Sequence, residues 1–404
     1  SMDEGKQKLL KNCRVLDLSN ESGFLCGKIL GDMGADVIKV EKPGGDESRN
    51  LGSFYHDEPD PEKNLYWFSY NHNKRGITLD LGVETGREIF NKLLGEADIL
   101  VTDKTSRQME ELGIEMGALR KLNPRLITVS VTPFGETGPY RDYKAYPLNT
   151  FHSGGEGYLL PPGSQYLDRE PIKAGRFVGE YDVGLSVGIA TLAALYAREA
   201  LGVVQQVDVS KQEALIAVER VQLARYANEG FVGKRDTVKH RGGAGIMSCK
   251  DGYVIAELLM EHQWQSFLKF IGSPEWSKDE RFKDENARYK YQDELNPLIQ
   301  GWMKDHTKEE IYHGGQASGC PTSPLFTAED LVNSEQLKGR EFFVEMDHPK
   351  AGRFKYPSAP YRMSKTPFRV RRPAPELGQD NEEIYTGLGY SREDLVSFRQ
   401  AGII

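Results

Sequence analysis

The feature of this sequence that most limits its fold is an alternation, through the first half of the chain, of short apolar runs with segments of helical periodicity. The apolar runs that we predict to be strands are residues 14–18, 36–41, 98–101, 125–131 and 206–209. Residues 23–33 and 85–96 are predicted to be helices between them. Strands separated by helices pair in parallel, because a long crossover is needed to bring the next strand alongside the last. We therefore predict an α/β fold built around a parallel sheet.

The second half of the chain has a different texture. Residues 183–197 form an apolar, small-residue segment, which we predict to be a buried helix because Arg198 and Glu199 end it too soon for a membrane span. From about residue 225 the character of the sequence changes, and a glycine cluster at residues 242–245 opens a region of strands and amphipathic helices. A chain of 404 residues exceeds what one hydrophobic core normally supports. We therefore predict a second, smaller domain over residues 225–325.

Composition and charge argue against several classes of protein. The net charge of −8 disfavours nucleic acid and anionic membranes as partners, since both need a positive protein surface. The four cysteines lack CxxC or zinc-site spacing and the eight histidines are scattered, so no metal site and no disulfide framework is predicted. The first residues are polar rather than the apolar core of a signal peptide, and we expect a cytoplasmic location.

Several common catalytic motifs are missing from the sequence: GxGxxG after the first strand, GxxxxGK[ST], HExxH and GxSxG. A series of short strings spans the chain instead, and the most distinctive is GADVIKVEKPGGD at residues 34–46. The others are VLDLS (15–19), NHNKRGITLD (71–80), LNPRLI (122–127), FGETGPY (134–140), QVDVS (206–210), MSCKDGYV (247–254), DHP (347–349) and RPAPELG (372–378).

In kind and order these strings resemble the class III CoA-transferases, the family of formyl-CoA and carnitine CoA-transferases, over essentially the whole chain. The resemblance implies a Rossmann-like large domain built from residues 1–224 and 326–404, a small domain over residues 225–325, and an intertwined homodimer. It also implies an enzyme that moves CoA from an acyl-CoA thioester to a free carboxylic acid. CoA is then a substrate, and no tightly bound cofactor is expected. In this chemistry a carboxylate attacks the thioester, giving an acyl anhydride and then an enzyme–CoA thioester.

The family's nucleophile is an aspartate in a string of the type G-D-x-x-x-G-L, and the matching string here is GEYDVGL at residues 179–185. Glu180 therefore occupies the nucleophile's position with one additional methylene. A glutamate has similar intrinsic reactivity and pKa, but Asp182 after a local register change, or a disabled site, are the alternatives. The resemblance also places Glu136 and Glu21 in the active site. If the three glutamates meet, their mutual repulsion should raise at least one pKa.

For CoA, the resemblance assigns contacts with the ribose and phosphates to one basic group of residues, which by itself would be a solvated turn. These residues are Lys42, Asn73, Lys74 and Arg75. Many members of the family carry V-E-N-F-x-P-G and then an arginine, whereas this chain has VTDKTSR at residues 101–107 and Glu111 in the arginine's place. Lys104 or Arg107 is therefore expected to supply the missing charge. Gly242 and Gly243 resemble the mobile glycine loop that covers the family's intermediates.

Two other functions are weighed against CoA transfer. An acyl-CoA racemase of the same family needs a histidine and an aspartate on opposite faces of the substrate's α-carbon. The corresponding segment here is Leu148-Asn149, which has neither. A non-catalytic, CoA-binding subunit of the same fold is the second alternative, because this chain lacks the usual aspartate.

Overall fold

The computed structural model describes residues 8–162, 167–218, 220–235, 245–258 and 260–404. The chain divides into two compact units. The first consists of Ser1–Pro161, Glu170–Gly233 and Gly339–Ile404, and the second of Pro162–Arg169 and Lys234–Lys338. The first unit is therefore assembled from both halves of the sequence.

The first unit contains a wholly parallel sheet of six strands in the order β3-β2-β1-β4-β5-β6. The strands are β1 (Arg14–Asp17), β2 (Asp36–Glu41), β3 (Lys74–Thr78), β4 (Ile99–Thr102), β5 (Ile127–Thr132) and β6 (Gln206–Ser210). The strand order reverses between β1 and β4. In open α/β sheets, ligands bind in the crevice at the carboxyl ends of the strands on either side of such a reversal.

Helices cover both faces of this sheet, which confirms the predicted α/β class. The helices of the first unit up to residue 229 are α1 (Glu21–Asp32), α2 (Leu65–Asn71), α3 (Glu84–Gly95), α4 (Ser106–Glu111), α5 (Met116–Leu122), α6 (Pro147–Ser153), α7 (Glu180–Leu201), α8 (Lys211–Ile216) and α9 (Arg220–Glu229). Alternate strand residues point to opposite faces, so Leu16 lies in one core cluster and Val15 in the other. The second of these clusters holds the inward residues of α1 and α7.

The second unit has an antiparallel sheet in the order β7-β8-β9. Its strands are β7 (Gly245–Cys249), β8 (Gly252–Ala256) and β9 (Thr322–Pro324). Its helices are α10 (Glu261–Phe270), α11 (Glu285–Lys290), α12 (Gln292–Met303), α13 (Lys308–Ala317), α14 (Ala328–Asn333) and α15 (Glu335–Gly339). A core around Trp264, Phe267 and Ile299 fills the space between these elements.

The chain then returns to the first unit with the hairpin β10 (Phe343–His348) and β11 (Gly352–Pro357), followed by α16 (Asn381–Gly387) and α17 (Arg392–Gln400). The start of α16 covers the outer edge of β3. The side chain of Asp380 accepts from the Gly76 backbone N–H at 2.7 Å, and the side chain of Asn381 accepts from the Thr78 N–H at 2.9 Å. The donors of this edge strand are thus satisfied by side chains that lie about 300 residues further along the chain.

Two sequence predictions about these elements need correction. The segment from Lys74, predicted to contact CoA and otherwise to be a solvated basic turn, is strand β3, and its cationic side chains are paired within the protein. Helix α7 begins at Glu180 and is buried on one face only, since Ile189 is 70% exposed. By length and apolar composition α7 is the one helix in the described ranges that could cross a membrane, a property that it shares with core helices of globular proteins.

Candidate active site

Two helices bring their first turns together at Glu180. The close packing of α1 and α7 depends on Gly184, where a Cβ atom would lie 2.8 Å from the Cβ of Leu25. Gly179, just before α7, has φ of +95°, a conformation that favours glycine. As a result, the Glu180 carboxylate lies at the N-terminus of α7 and next to that of α1, where the partial positive charge of a helix end stabilises an anion.

The Glu180 side chain is only 2% exposed and has two polar partners. The hydroxyl of Ser22, the second residue of α1, donates to Glu180 Oε2 at 2.5 Å. Lys211, the first residue of α8, places its Nζ 3.3 Å from the same oxygen. Both contacts end on Oε2, and the residues that the structure describes supply no hydrogen bond to Oε1. Both polar contacts of the carboxylate are therefore made through one of its two oxygens.

Glu21, the first residue of α1, is a neighbour of this carboxylate. Its pKa is raised chiefly by burial and also by the negative charge of Glu180, while Lys211 acts in the opposite direction. The sequence argument attributed such a shift to repulsion between carboxylates, but burial is the larger cause. A raised pKa favours the protonated form of Glu21, which is the form that can donate to a developing negative charge.

Lys173 and a group of aromatic rings form the remaining surroundings. Lys173 Nζ donates to the backbone carbonyls of Ala174, Arg176 and Val178, which fixes the turn that leads into α7. Burial lowers the pKa of Lys173, while Glu180 acts to raise it. The aromatic rings stack in pairs, Tyr66 on Phe177 at 4.1 Å and Tyr70 on Tyr181 at 5.3 Å. Tyr181 belongs to the first turn of α7, so these rings lie beside the start of that helix.

The other two predicted catalytic residues, Asp182 and Glu136, have different surroundings from those of Glu21 and Glu180. Asp182 lies in the first turn of α7 and is partly exposed. Glu136 binds the start of α4, where its Oε2 accepts from the backbone N–H and the hydroxyl of Ser106 at 3.0 and 2.6 Å. The structure therefore brings Glu21 and Glu180 together and gives Glu136 a separate, helix-capping contact.

Three of the predicted CoA-binding residues lie after the carboxyl ends of strands. Lys42 follows β2 and is exposed, and Arg107 is exposed on α4, where it pairs with Glu111 at 3.2 Å. Lys104 follows β4, and its Nζ lies 3.4 Å from the carbonyl oxygen of Leu18 after β1. Lys104 thus lies at the point where the strand order reverses, on the same edge of the sheet as Glu21.

Three more of the predicted CoA-binding residues, Asn73, Lys74 and Arg75, have their polar groups occupied by the protein. Lys74 is fully buried, and its Nζ donates to Asp17 at 2.8 Å, to Asn71 and to the Phe24 carbonyl. Arg75 forms a two-point ion pair with Asp36, the first residue of β2, and so lies toward the opposite edge of the sheet. The side chains of Lys74 and Arg75 therefore leave little capacity for a phosphate.

Asn73 has φ of +62° and holds the C-terminal tail. Its side chain donates to Asp32 and to the Arg369 carbonyl, and accepts from the Arg371 N–H. The predicted glycine loop, Gly242 and Gly243, lies outside the described residues. In the described part of the chain, no group of three or more His, Cys, Asp or Glu side chains is arranged to hold a metal ion.

Sequence reasoning missed Ser22, Lys211 and Lys173. Ser22 and Lys211 reach Glu180 from positions far away in the chain, so their proximity depends on the fold. Lys211 directly follows the QVDVS string, and its charge at the carboxyl end of a predicted strand was the one available signal.

The chain is similar to known proteins over nearly its full length. The family model described as CoA-transferase family III matches residues 10–381. The formyl-CoA:oxalate CoA-transferase of Streptomyces coelicolor is 31% identical over 420 residues, covering 98% of this chain and 99% of that protein. The succinyl-CoA:(R)-benzylsuccinate CoA-transferase subunit BbsE of Thauera aromatica is 29% identical, covering 97% of each chain.

Among solved structures, a CAIB/BAIF family protein from Brucella suis has a TM-score of 0.84 at 28% identity, covering 95% of this chain and 100% of that one. The similarity thus extends over both units rather than over the sheet alone. These matches confirm the family and the enzyme class that the sequence strings predict. The chain belongs to CoA-transferase family III.

Proposed function

We propose that this enzyme transfers CoA from an acyl-CoA thioester to a free carboxylic acid, with Glu180 as the covalent nucleophile. The observation that carries the proposal is the buried Glu180 carboxylate, held through Oε2 by Ser22 and Lys211 at the meeting point of two helix N-termini. A carboxylate is a weak nucleophile in water, and its removal from water increases its reactivity. The family membership makes the thioester of CoA the natural electrophile.

In the proposed reaction, Glu180 Oε1 attacks the carbonyl carbon of the acyl-CoA and the carbon–sulfur bond breaks, which gives an acyl anhydride and the CoA thiolate. The thiolate then attacks the Glu180 carbonyl carbon of the anhydride, releasing the donor acid as a carboxylate and leaving a Glu180–CoA thioester. The acceptor carboxylate then attacks the Glu180 carbonyl carbon of this thioester and displaces the CoA thiolate, which gives a second anhydride. The thiolate attacks the acceptor's carbonyl carbon in that anhydride, which releases the new acyl-CoA and restores the Glu180 carboxylate. Glu21, whose raised pKa favours its protonated form, is proposed to donate to the oxygen that becomes negative in each addition.

CoA is proposed to lie along the carboxyl edge of the sheet, with Lys42, Lys104 and Arg107 near its phosphates. This edge carries the strand-order reversal at which nucleotide ligands usually bind. Two relatives are named for oxalate and for benzylsuccinate, both dicarboxylic acids, with formyl-CoA and succinyl-CoA as donors. Short acyl-CoA donors and dicarboxylic acceptors are therefore the first substrates to test.

The mass of the intact protein after incubation with acyl-CoA donors tests the proposal. A CoA adduct on the peptide that contains Glu180 is expected, and Glu180→Gln should abolish it, because an amide is nearly isosteric but cannot form the anhydride. Asp182→Asn serves as the matched control and should retain the adduct. Loss of the adduct in Asp182→Asn but not in Glu180→Gln would move the nucleophile to Asp182.

A non-catalytic subunit is the second candidate function, because one relative is named as a subunit of a CoA-transferase. Under that function the wild-type chain binds CoA but forms no adduct with any donor. Calorimetry with CoA and the adduct measurement together separate the two functions.

We also propose a homodimer located in the cytoplasm. The outward face of α7, with Leu185, Ile189 and Tyr196, presents apolar surface of the kind that a partner subunit covers. Sedimentation velocity at micromolar concentration should give about twice the mass of the chain. A monomer under these conditions would contradict the homodimer.

A further inference from the structure

Lys211 has an unusual position for a cation. Its side chain is 8% exposed, and its Nζ lies 3.3 Å from Glu180 Oε2. Among the residues that the structure describes, Glu180 is its ion-pair partner, and no backbone carbonyl accepts a hydrogen bond from it. Lys173, the other lysine near Glu180, differs in this respect, because three backbone carbonyls accept from its ammonium group. Lys211 is thus a desolvated cation whose ion pair, within the described residues, is with Glu180, while Glu21 interacts with its charge without forming an ion pair.

The proposed function removes that ion pair during every reaction cycle. When Glu180 becomes an anhydride or a thioester, its negative charge is lost while Lys211 keeps its positive charge. A buried cation without a partner is costly, so the site then favours the entry of another anion. The anion that the reaction itself provides at this stage is the carboxylate of the donor or acceptor acid.

We propose that Lys211 is the residue that binds the free carboxylate of the acid while Glu180 carries CoA. The inference rests on the proposed function and adds to it the residue that selects carboxylates as acceptors. In the discharge step, one oxygen of the acceptor carboxylate forms a bond to the Glu180 carbonyl carbon and the carbon–sulfur bond breaks. The electron pair leaves on the CoA sulfur. Before this step Lys211 binds the carboxylate of the acceptor acid. After the step the acceptor acid and Glu180 are joined as an anhydride.

Binding of small acids by a resting variant tests the inference without any turnover. Glu180→Gln reproduces the neutral state of residue 180, so Lys211 should bind oxalate or succinate at least about 30-fold more tightly than in the wild type, where Glu180 competes. Calorimetry at pH 7 measures this, with oxamide and succinamide as uncharged controls. The double variant Glu180→Gln/Lys211→Met should lose the gain. Equal affinity of Glu180→Gln and wild type for these acids would overturn the inference.

Discharge of the CoA adduct gives a second test. In Lys211→Met, the adduct should react with hydroxylamine, a neutral nucleophile, at close to the wild-type rate, while its discharge by carboxylates falls at least about 30-fold. Lys211→Arg keeps the charge and should restore much of the discharge by carboxylates. Equal losses toward both nucleophiles, or an arginine variant as poor as the methionine variant, would contradict the role of the charge.

Two controls keep these outcomes separate. Arg198→Met breaks a buried ion pair with Asp98 at the other end of α7, and it matches Lys211→Met for loss of stability. If Lys211→Met does not fold, the binding of acids by Glu180→Gln alone decides the inference. Absence of an adduct in the wild type contradicts the proposed function, whereas absence of acid binding by Glu180→Gln contradicts the role of Lys211.

Discussion

Replacing Lys74 by methionine should destabilise the protein strongly without removing a CoA contact. Lys74 Nζ lies 2.8 Å from Asp17 Oδ2, and both side chains are fully buried. Loss of the ammonium group leaves a buried carboxylate without its main partner, which typically costs about 3–5 kcal/mol. The hydroxyl and backbone N–H of Ser19 still bind Asp17 Oδ1, and Lys39 Nζ remains 4.0 Å away, so the lower end of that range is expected.

The pH dependence of this effect has a definite sign. Burial alone would raise the pKa of Asp17, but Lys74, Lys39 and Ser19 outweigh it and lower that pKa below its ordinary value. The stabilisation is therefore complete above the unfolded-state pKa of about 4 and is lost as the pH falls through the lower folded-state pKa. In Lys74→Met, burial with fewer cations should raise the pKa of Asp17. That variant should therefore lose stability as the pH rises from about 4 toward 7.

Urea unfolding followed by circular dichroism, at one fixed protein concentration, measures the change in stability. Calorimetric titration with CoA, at a temperature where the variant is folded, measures affinity and should show little change. The double variant Asp17→Asn/Lys74→Met should be more stable than the sum of the two single effects predicts. A Lys74→Met protein that unfolds at the wild-type urea concentration but binds CoA tenfold more weakly would refute the reasoning and return Lys74 to the CoA site.

Three further predictions follow from other contacts. Gly184→Ala should destabilise the protein by about 1–3 kcal/mol in urea unfolding, because the new Cβ would lie 2.8 Å from the Cβ of Leu25. Gly301→Ala, which faces open space within α12, should instead stabilise the protein by up to about 1 kcal/mol. Lys104→Ala/Arg107→Ala should weaken CoA binding and reduce its salt dependence in calorimetry, while Arg75→Ala should not. Iodoacetamide at pH 8 should modify Cys249 before Cys13 and Cys26 in peptide mass spectra, because burial raises the pKa of both buried thiols to about 12.

The sequence predicted the elements whose apolar pattern is unambiguous. Strand β2 has the predicted bounds, and α3 differs from its prediction by one residue at each end. Strand β3 was missed because Lys74 and Arg75 give its start the appearance of a polar turn. Their partners, Asp17 and Asp36, belong to neighbouring strands, and strand pairing cannot be read from local sequence.

The candidate site was also predicted only in part, because contacts between distant parts of the chain cannot be read from local sequence. The string around Glu180 identifies a buried carboxylate at a helix start, since a glycine and a small-residue helix leave a recognisable pattern. Ser22 and Lys211 contact it only because α1, α7 and β6 pack around one another. The asparagine at position 73 matched a binding motif, yet its side chain holds the tail at Arg369 and Arg371. At position 73, therefore, a match to the motif did not predict what the side chain contacts.

The cover of β3 by the start of α16 has a consequence for synthesis on the ribosome. The outer N–H groups of Gly76 and Thr78 find their acceptors, Asp380 and Asn381, only after about 300 more residues have been translated. Until then the nascent sheet presents an open strand edge, which is a template for pairing with other chains. A chain that stops before residue 380 keeps that edge permanently, so truncated products should aggregate even though all six strands of the sheet have been made.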